Sequence, residues 1–188
     1  MSPRSVGRTK AEHQAAVVLR SSGVTKAPIP VEQISEELGL EVVYENLPFD
    51  TSSVLIRQPD GRRVIGVNAR HASRRQRFSL AHELGHALLH FSEKAPHDGE
   101  AVVSRPLEVL FRDGLAGQGT NRVEIDANAF AAYLLMPSEL VSARFRKRLQ
   151  QDVARRVDDT IDDLADEFDV SAQAMRYRLA NLGLIDPA

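Results

Sequence analysis

His82-Glu83-Leu84-Gly85-His86 reads H-E-x-x-H, and it decides how the rest of the chain is read. In an α-helix, residues four apart lie about 40° apart around the axis, so both imidazoles project from one face and can grip one cation. Neutral imidazole is a common zinc ligand, and a catalytic zinc keeps one position open for water. Glu83 follows the first histidine and leans to the side, within reach of that water as a proton acceptor. This is the metalloprotease form of the motif.

The flanks predict a helix. Ser73-Arg74-Arg75-Gln76 fits a capping box, with Ser73 as N-cap and Gln76 reaching back. Phe78, Ala81, Leu84, Leu88 and Leu89 recur near helical spacing and predict one buried side. Gly85 is a poor helix former, so its expected use is the close approach of another backbone.

Working outward, Met1 to Arg8 reads as weakly held. Helices are expected over Lys10 to Arg20 and Pro28 to Leu38, with Pro30 in the first turn of the second and Gly39 ending it. Glu41 to Tyr44, Ser53 to Arg57 and Arg63 to Val67 read as strands, the last two joined through Pro59-Asp60-Gly61. A small antiparallel sheet before the motif helix is therefore predicted. Phe91 to Thr120 is rich in proline and glycine and reads as a long loop, with one further strand over Leu107 to Phe111. Helices are predicted from Thr120 to Met136, stopped by Pro137, and from Glu139 to Gln150, capped by Ser138.

A catalytic zinc needs a third protein ligand. The chain has no cysteine, so that ligand must be His, Asp or Glu. Glu124 and Asn128 are four apart on one helix face, so one can bind metal while the other orients a ligand histidine. Asp126 points elsewhere and ranks below them. Zinc suits this donor set best, and manganese or another divalent ion is the alternative.

Arg77 to His90, followed by Glu124-x-Asp126-Ala127-Asn128-Ala129-Phe130-Ala131-Ala132-x-Leu134-Leu135-Met136-Pro137, closely resembles the ImmA/IrrE family of bacterial metallopeptidases. The resemblance covers roughly Pro28 to Ile185, and two long blocks in order are far more specific than the pentapeptide alone. It implies an α+β, zincin-like fold. It implies His82, His86 and Glu124 as metal ligands, Glu83 as general base and Asn128 as a support for a ligand. Asp126 departs from the glutamate that many members carry. Family members characterised as proteases cut a partner repressor of the helix-turn-helix type, which relieves repression of stress or mobile-element genes. The resemblance thus implies a zinc endopeptidase acting in transcription regulation.

The C-terminal segment has a pattern of its own. Leu164-Ala165, Phe168, Val170, Met175 and Leu179 fall at helix-turn-helix positions, with Thr160 and Ser171 as N-caps. The division expected is residues 1–150 for the peptidase domain and 151–188 for this helical segment. As a DNA reader it would point Arg176 and Arg178 at the duplex. Six acidic residues (Asp158, Asp159, Asp162, Asp163, Asp166 and Glu167) crowd its first helix and would repel phosphates, and Asp169 stands where the turn usually has glycine. A structural or partner-binding role is favoured over DNA contact.

Composition bounds the rest. The 188 residues carry a net charge of -2, which gives no global signature of polyanion binding. The basic runs Arg74 to Arg77 and Arg144 to Arg148 read as solvated helix faces. The absence of cysteine excludes disulfides, thiolate ligands and a cysteine nucleophile, and fits a reducing compartment. No apolar leader or membrane span is evident, so a cytoplasmic location is expected. Two other function classes remain open. One is a non-enzymatic DNA- or repressor-binding regulator whose metal is structural, closed by a fourth ligand such as His90 or His97. The other is a toxin–antitoxin component. No oxyanion stabiliser stands out; Tyr133, His90 and His97 are the candidates.

Overall fold

The computed structural model describes residues 9–90, 101–104, 120–151 and 156–186, with 101–104 and 120–121 as backbone. The expected strand over 107–111, His97 and the N-terminal eight residues lie outside them. The α+β class is as expected. Helices α1 (Lys10–Ser21) and α2 (Val31–Glu37) come first, followed by strands β1 (Leu40–Glu45), β2 (Ser53–Arg57) and β3 (Arg63–Asn68). Helix α3 (Ser73–Leu89) carries the motif. Strand β4 (Ala101–Ser104) and helices α4 (Thr120–Leu135), α5 (Ser138–Gln151), α6 (Val157–Phe168) and α7 (Ala172–Asn181) complete the order.

Local chemistry explains the boundaries. At α1, Thr9 and Glu12 form the reciprocal pair of a capping box, each side chain accepting from the other's backbone N–H. Chain entry to α2 is at Pro30, and Gly39, at φ +76°, ends it in the left-handed conformation that glycine adopts without strain. The capping box expected at Ser73 is absent. Ala72 is the N-cap of α3, and Gln76 donates instead to the carbonyls of Ala69 and His71. The side-chain amide thus ties the incoming loop to the first turn.

The sheet has the order β1-β3-β2-β4. β2 and β3 form the expected hairpin, its turn fixed by Asp60, whose carboxylate accepts from the Arg62 backbone and guanidinium. β4 adds antiparallel to β2, but β1 pairs with β3 in parallel, so the sheet is mixed rather than antiparallel. The reason is connectivity: the segment after β1 crosses to β2, and β3 returns between them. β3 is then flanked by a strand on each side, and Val64 to Asn68 are all buried.

α3 lies in the middle of the molecule, against β2 and β3 on one side and α4, α1 and α2 on others. Every residue from Phe78 to Ala87 is buried, so the helix is enclosed all round rather than along one stripe. α4 packs along it through Ala127, Phe130, Ala131 and Leu134, each 0% exposed. A Cβ on Gly85 would stand 3.1 Å from the Ala127 carbonyl oxygen and 3.1 Å from Phe130 Cδ1, so the expected close approach is real. α6 and α7 continue the same core through Ile161, Leu164, Phe168, Met175 and Leu179.

Candidate metal centre

Two helices bring the predicted donors together. His82 and His86 project from α3, and Glu124 reaches them from the start of α4. The Nε2 atoms of the histidines are 2.9 Å apart, and the Glu124 carboxylate lies 3.3 Å from each. The ligand atoms all fall within 4.8 Å of one another. Ligand atoms sharing one tetrahedral ion at about 2.1 Å stand roughly 3.4 Å apart, so the set has the dimensions of a one-ion site.

The hydrogen bonding around the set fits a cation as well. Asn128 Nδ2 donates to the Glu124 carbonyl at 2.8 Å, which turns its Oδ1 to His82 Nδ1 at 3.0 Å. Since Oδ1 can only accept, Nδ1 carries the proton and His82 Nε2 presents a lone pair. That lone pair faces another imidazole nitrogen and a carboxylate oxygen. Only a proton or a metal ion can bridge such a group. Its own electrostatics agree. Burial opposes ionisation of Glu124, yet hydrogen bonding to His82 and His86 holds its carboxyl well below the usual range. Burial would lower the His82 pKa, but Glu124, Glu83 and Asn128 outweigh it and raise it.

Glu83 is fully buried beside this cluster. Its Oε1 accepts a hydrogen bond from Ser53 Oγ on β2 at 2.7 Å, while Oε2 is buried with no partner among the described residues. A buried carboxylate oxygen without a donor costs free energy unless water or a cation meets it. Ser53 is a site residue that sequence reasoning missed. Its one signal is a serine at a strand position whose alternation with Leu55 calls for an apolar side chain.

Other sequence candidates fall elsewhere. Asp126 is outside the donor group. His90 is outside it too; its ring centroid lies 5.8 Å from that of His86, and burial together with His86 lowers its pKa. Tyr133 lies under the Arg178 guanidinium, which stands 3.9 Å from its ring centroid.

Arg176 and Arg178, which the disfavoured DNA-reading alternative would point at the duplex, are both engaged within the protein. Arg178 is 6% exposed and donates to the Met136 carbonyl at 2.9 Å. Arg176 is paired with Asp158 of α6. Ser171 does cap α7, accepting from the Ala174 N–H, but Thr160 sits inside α6 and donates to the Arg156 carbonyl. Part of each basic run is engaged in ion pairs with α6 and the turn after it. Arg74 and Arg77 reach Asp166 and Asp169, and Arg144 and Arg148 reach Glu167.

Comparison with known proteins gives the family. The family model described as the IrrE N-terminal-like domain, Peptidase_M78, matches residues 35–180. A solved structure of a Mycobacterium tuberculosis transcriptional regulator superposes with a TM-score of 0.58 at 22% identity, over 92% of this chain and 47% of that one. This chain thus spans about half the length of that regulator, and at such identity the likeness speaks for the fold. No curated protein matches the chain in sequence. The matched span takes in α3, α4 and the C-terminal helices, and the chain belongs to the IrrE N-terminal-like peptidase family.

Proposed function

We propose that this member of a peptidase family is a zinc-dependent endopeptidase that makes a regulatory, site-specific cut in a helix-turn-helix transcriptional repressor. The observation that carries the reading is the His82–His86–Glu124 donor set beside a buried glutamate with one free carboxylate oxygen. The partner is taken from what the family resemblance implies, and a repressor as substrate supports a cytoplasmic reaction.

His82, His86 and Glu124 would hold the ion, with manganese the alternative occupant. When bound, the ion supplies Lewis acidity toward a peptide carbonyl and acidifies water. The chain's own residues do the rest. Asn128 fixes the tautomer and the plane of His82. Glu83 takes the proton of the attacking water through Oε2 and returns it to the leaving amine. The surrounding α3, α4 and sheet keep bulk water from the carboxylate.

The test is incubation with candidate helix-turn-helix repressors from the source organism, with and without zinc, for the wild type and Glu83→Gln. Zinc-dependent cleavage that disappears in Glu83→Gln, with the metal still bound, is expected. Cleavage that survives Glu83→Gln would overturn the general-base role. Tight zinc binding with no cleavage of the repressor would favour a structural metal in a non-enzymatic regulator.

A further inference from the structure

We infer that Ser53 is a positioning residue for Glu83: its hydroxyl, fixed in the sheet, sets the plane of the carboxylate and so the direction in which the oxygen it leaves free accepts a proton. The inference rests on the peptidase reading above. Ser53 Oγ donates to Glu83 Oε1 at 2.7 Å, and both residues are 0% exposed. A hydrogen bond to an ionised carboxylate is among the stronger kinds and is directional.

The terminal torsion of a glutamate is broad, so an unrestrained carboxylate turns its plane freely. One donor on Oε1 holds that plane and aims Oε2, which has no partner among the described residues, to accept a proton. The donor itself is held firmly. Ser53 pairs with Val67 of β3 and Ser104 of β4, one strand on each side. The segment before it is tied down by Asn68, whose Nδ2 donates to the carbonyls of Leu47, Pro48 and Thr51 and whose N–H donates to Ser52. Arg75 donates to the Ser52 hydroxyl. By alternation Ser53 shares a sheet face with Leu55, where an aliphatic side chain would serve packing equally well. A hydroxyl there answers to Glu83.

Two readouts test this in the full chain. Isotope-edited infrared spectra, with the Glu83 band identified by its loss in Glu83→Gln, should show that band shifted in Ser53→Ala and unshifted in Ser53→Thr. In cleavage of the repressor that the wild type cuts, Ser53→Ala should lower kcat on the order of ten- to a hundredfold, as misplacement of a reacting group does. KM and zinc stoichiometry should stay unchanged, and Ser53→Thr should restore most of kcat. Adding Ser53→Ala to Glu83→Gln should cost nothing further. An unshifted band, or an unchanged kcat in Ser53→Ala while Glu83→Gln is inactive, overturns the positioning role alone. Full cleavage by Glu83→Gln overturns Glu83 as the base and this role with it, whereas no cleavage by the zinc-loaded wild type overturns the peptidase reading itself.

Discussion

Asn128 shows how one side chain can set the chemistry of another. It bridges the Glu124 carbonyl and His82 Nδ1, so it joins the helix that offers the carboxylate to the ring that offers the nitrogen. Asn128→Ala should weaken zinc binding about 10- to 100-fold, the usual cost of losing such a support. Competition against a chelator of known affinity reads this directly; an unchanged affinity would show that His82 is oriented by packing alone. Gly85 makes a second case. Alanine would gain about 1 kcal/mol in helix propensity. Its methyl, however, would press on the Ala127 backbone at 3.1–3.2 Å, which cannot rotate away. Overpacking of this kind costs about 1–3 kcal/mol, so Gly85→Ala should destabilise the fold by denaturant titration despite the better propensity. His82, Glu83, His86 and Glu124 were legible because metal chemistry demands particular residue types at a helical spacing. Ser53 was not, because the bond it makes is 30 residues distant and leaves no local pattern.

At the level of elements, hydrophobic periodicity and turn residues placed all the helices and the first three strands of the described residues to within a few positions. What they could not supply was pairing. Parallel alignment of β1 with β3 is settled by which strand comes to lie between two others, and no residue in β1 encodes that. The capping box was assigned to Ser73 and Gln76, yet it occurs at Thr9 and Glu12, since the pattern is met by composition at both and by geometry at one. Asp169 shows a local rule overridden by a tertiary one. It adopts φ 52° in the turn between α6 and α7, a conformation that costs a non-glycine residue roughly 1 kcal/mol. Its carboxylate meets Arg77 at 3.1 Å and Arg74 at 3.5 Å, which joins this turn to α3. Asp169→Asn keeps the tolerance for positive φ and removes the charge. It should cost about 0.5–1 kcal/mol at low ionic strength, as partly exposed pairs do, and the difference should shrink in 1 M salt. A loss independent of salt would assign the effect to packing of the turn instead.

At the scale of the whole molecule, several arginines of the described residues are paired with carboxylates, and this bears on how the C-terminal helices meet a polyanion. A helix-turn-helix that reads DNA needs cations free to neutralise phosphates, each contact adding about 0.9 to the slope of log K against log salt. Here Arg178 is buried against Met136 and Tyr133, and Arg176 is neutralised by Asp158. Arg144 and Arg148 are taken by Glu167, and Arg74 by Asp166. Asp159 and Asp162 remain on the exposed face of α6, and the net charge is -2. The protein should therefore show no retention on duplex DNA at about 0.1 M salt, where a Debye length of roughly 10 Å still lets local patches act. Arg178→Ala should instead unfold more easily, by about 2–3 kcal/mol, because it removes a hydrogen bond, a ring contact and the packing of a long stem. The two measurements discriminate together. If Arg178 served DNA, its loss would abolish salt-dependent retention and leave the melting temperature unchanged. If it fastens α7 to the end of α4, the melting temperature falls and there is no retention to lose.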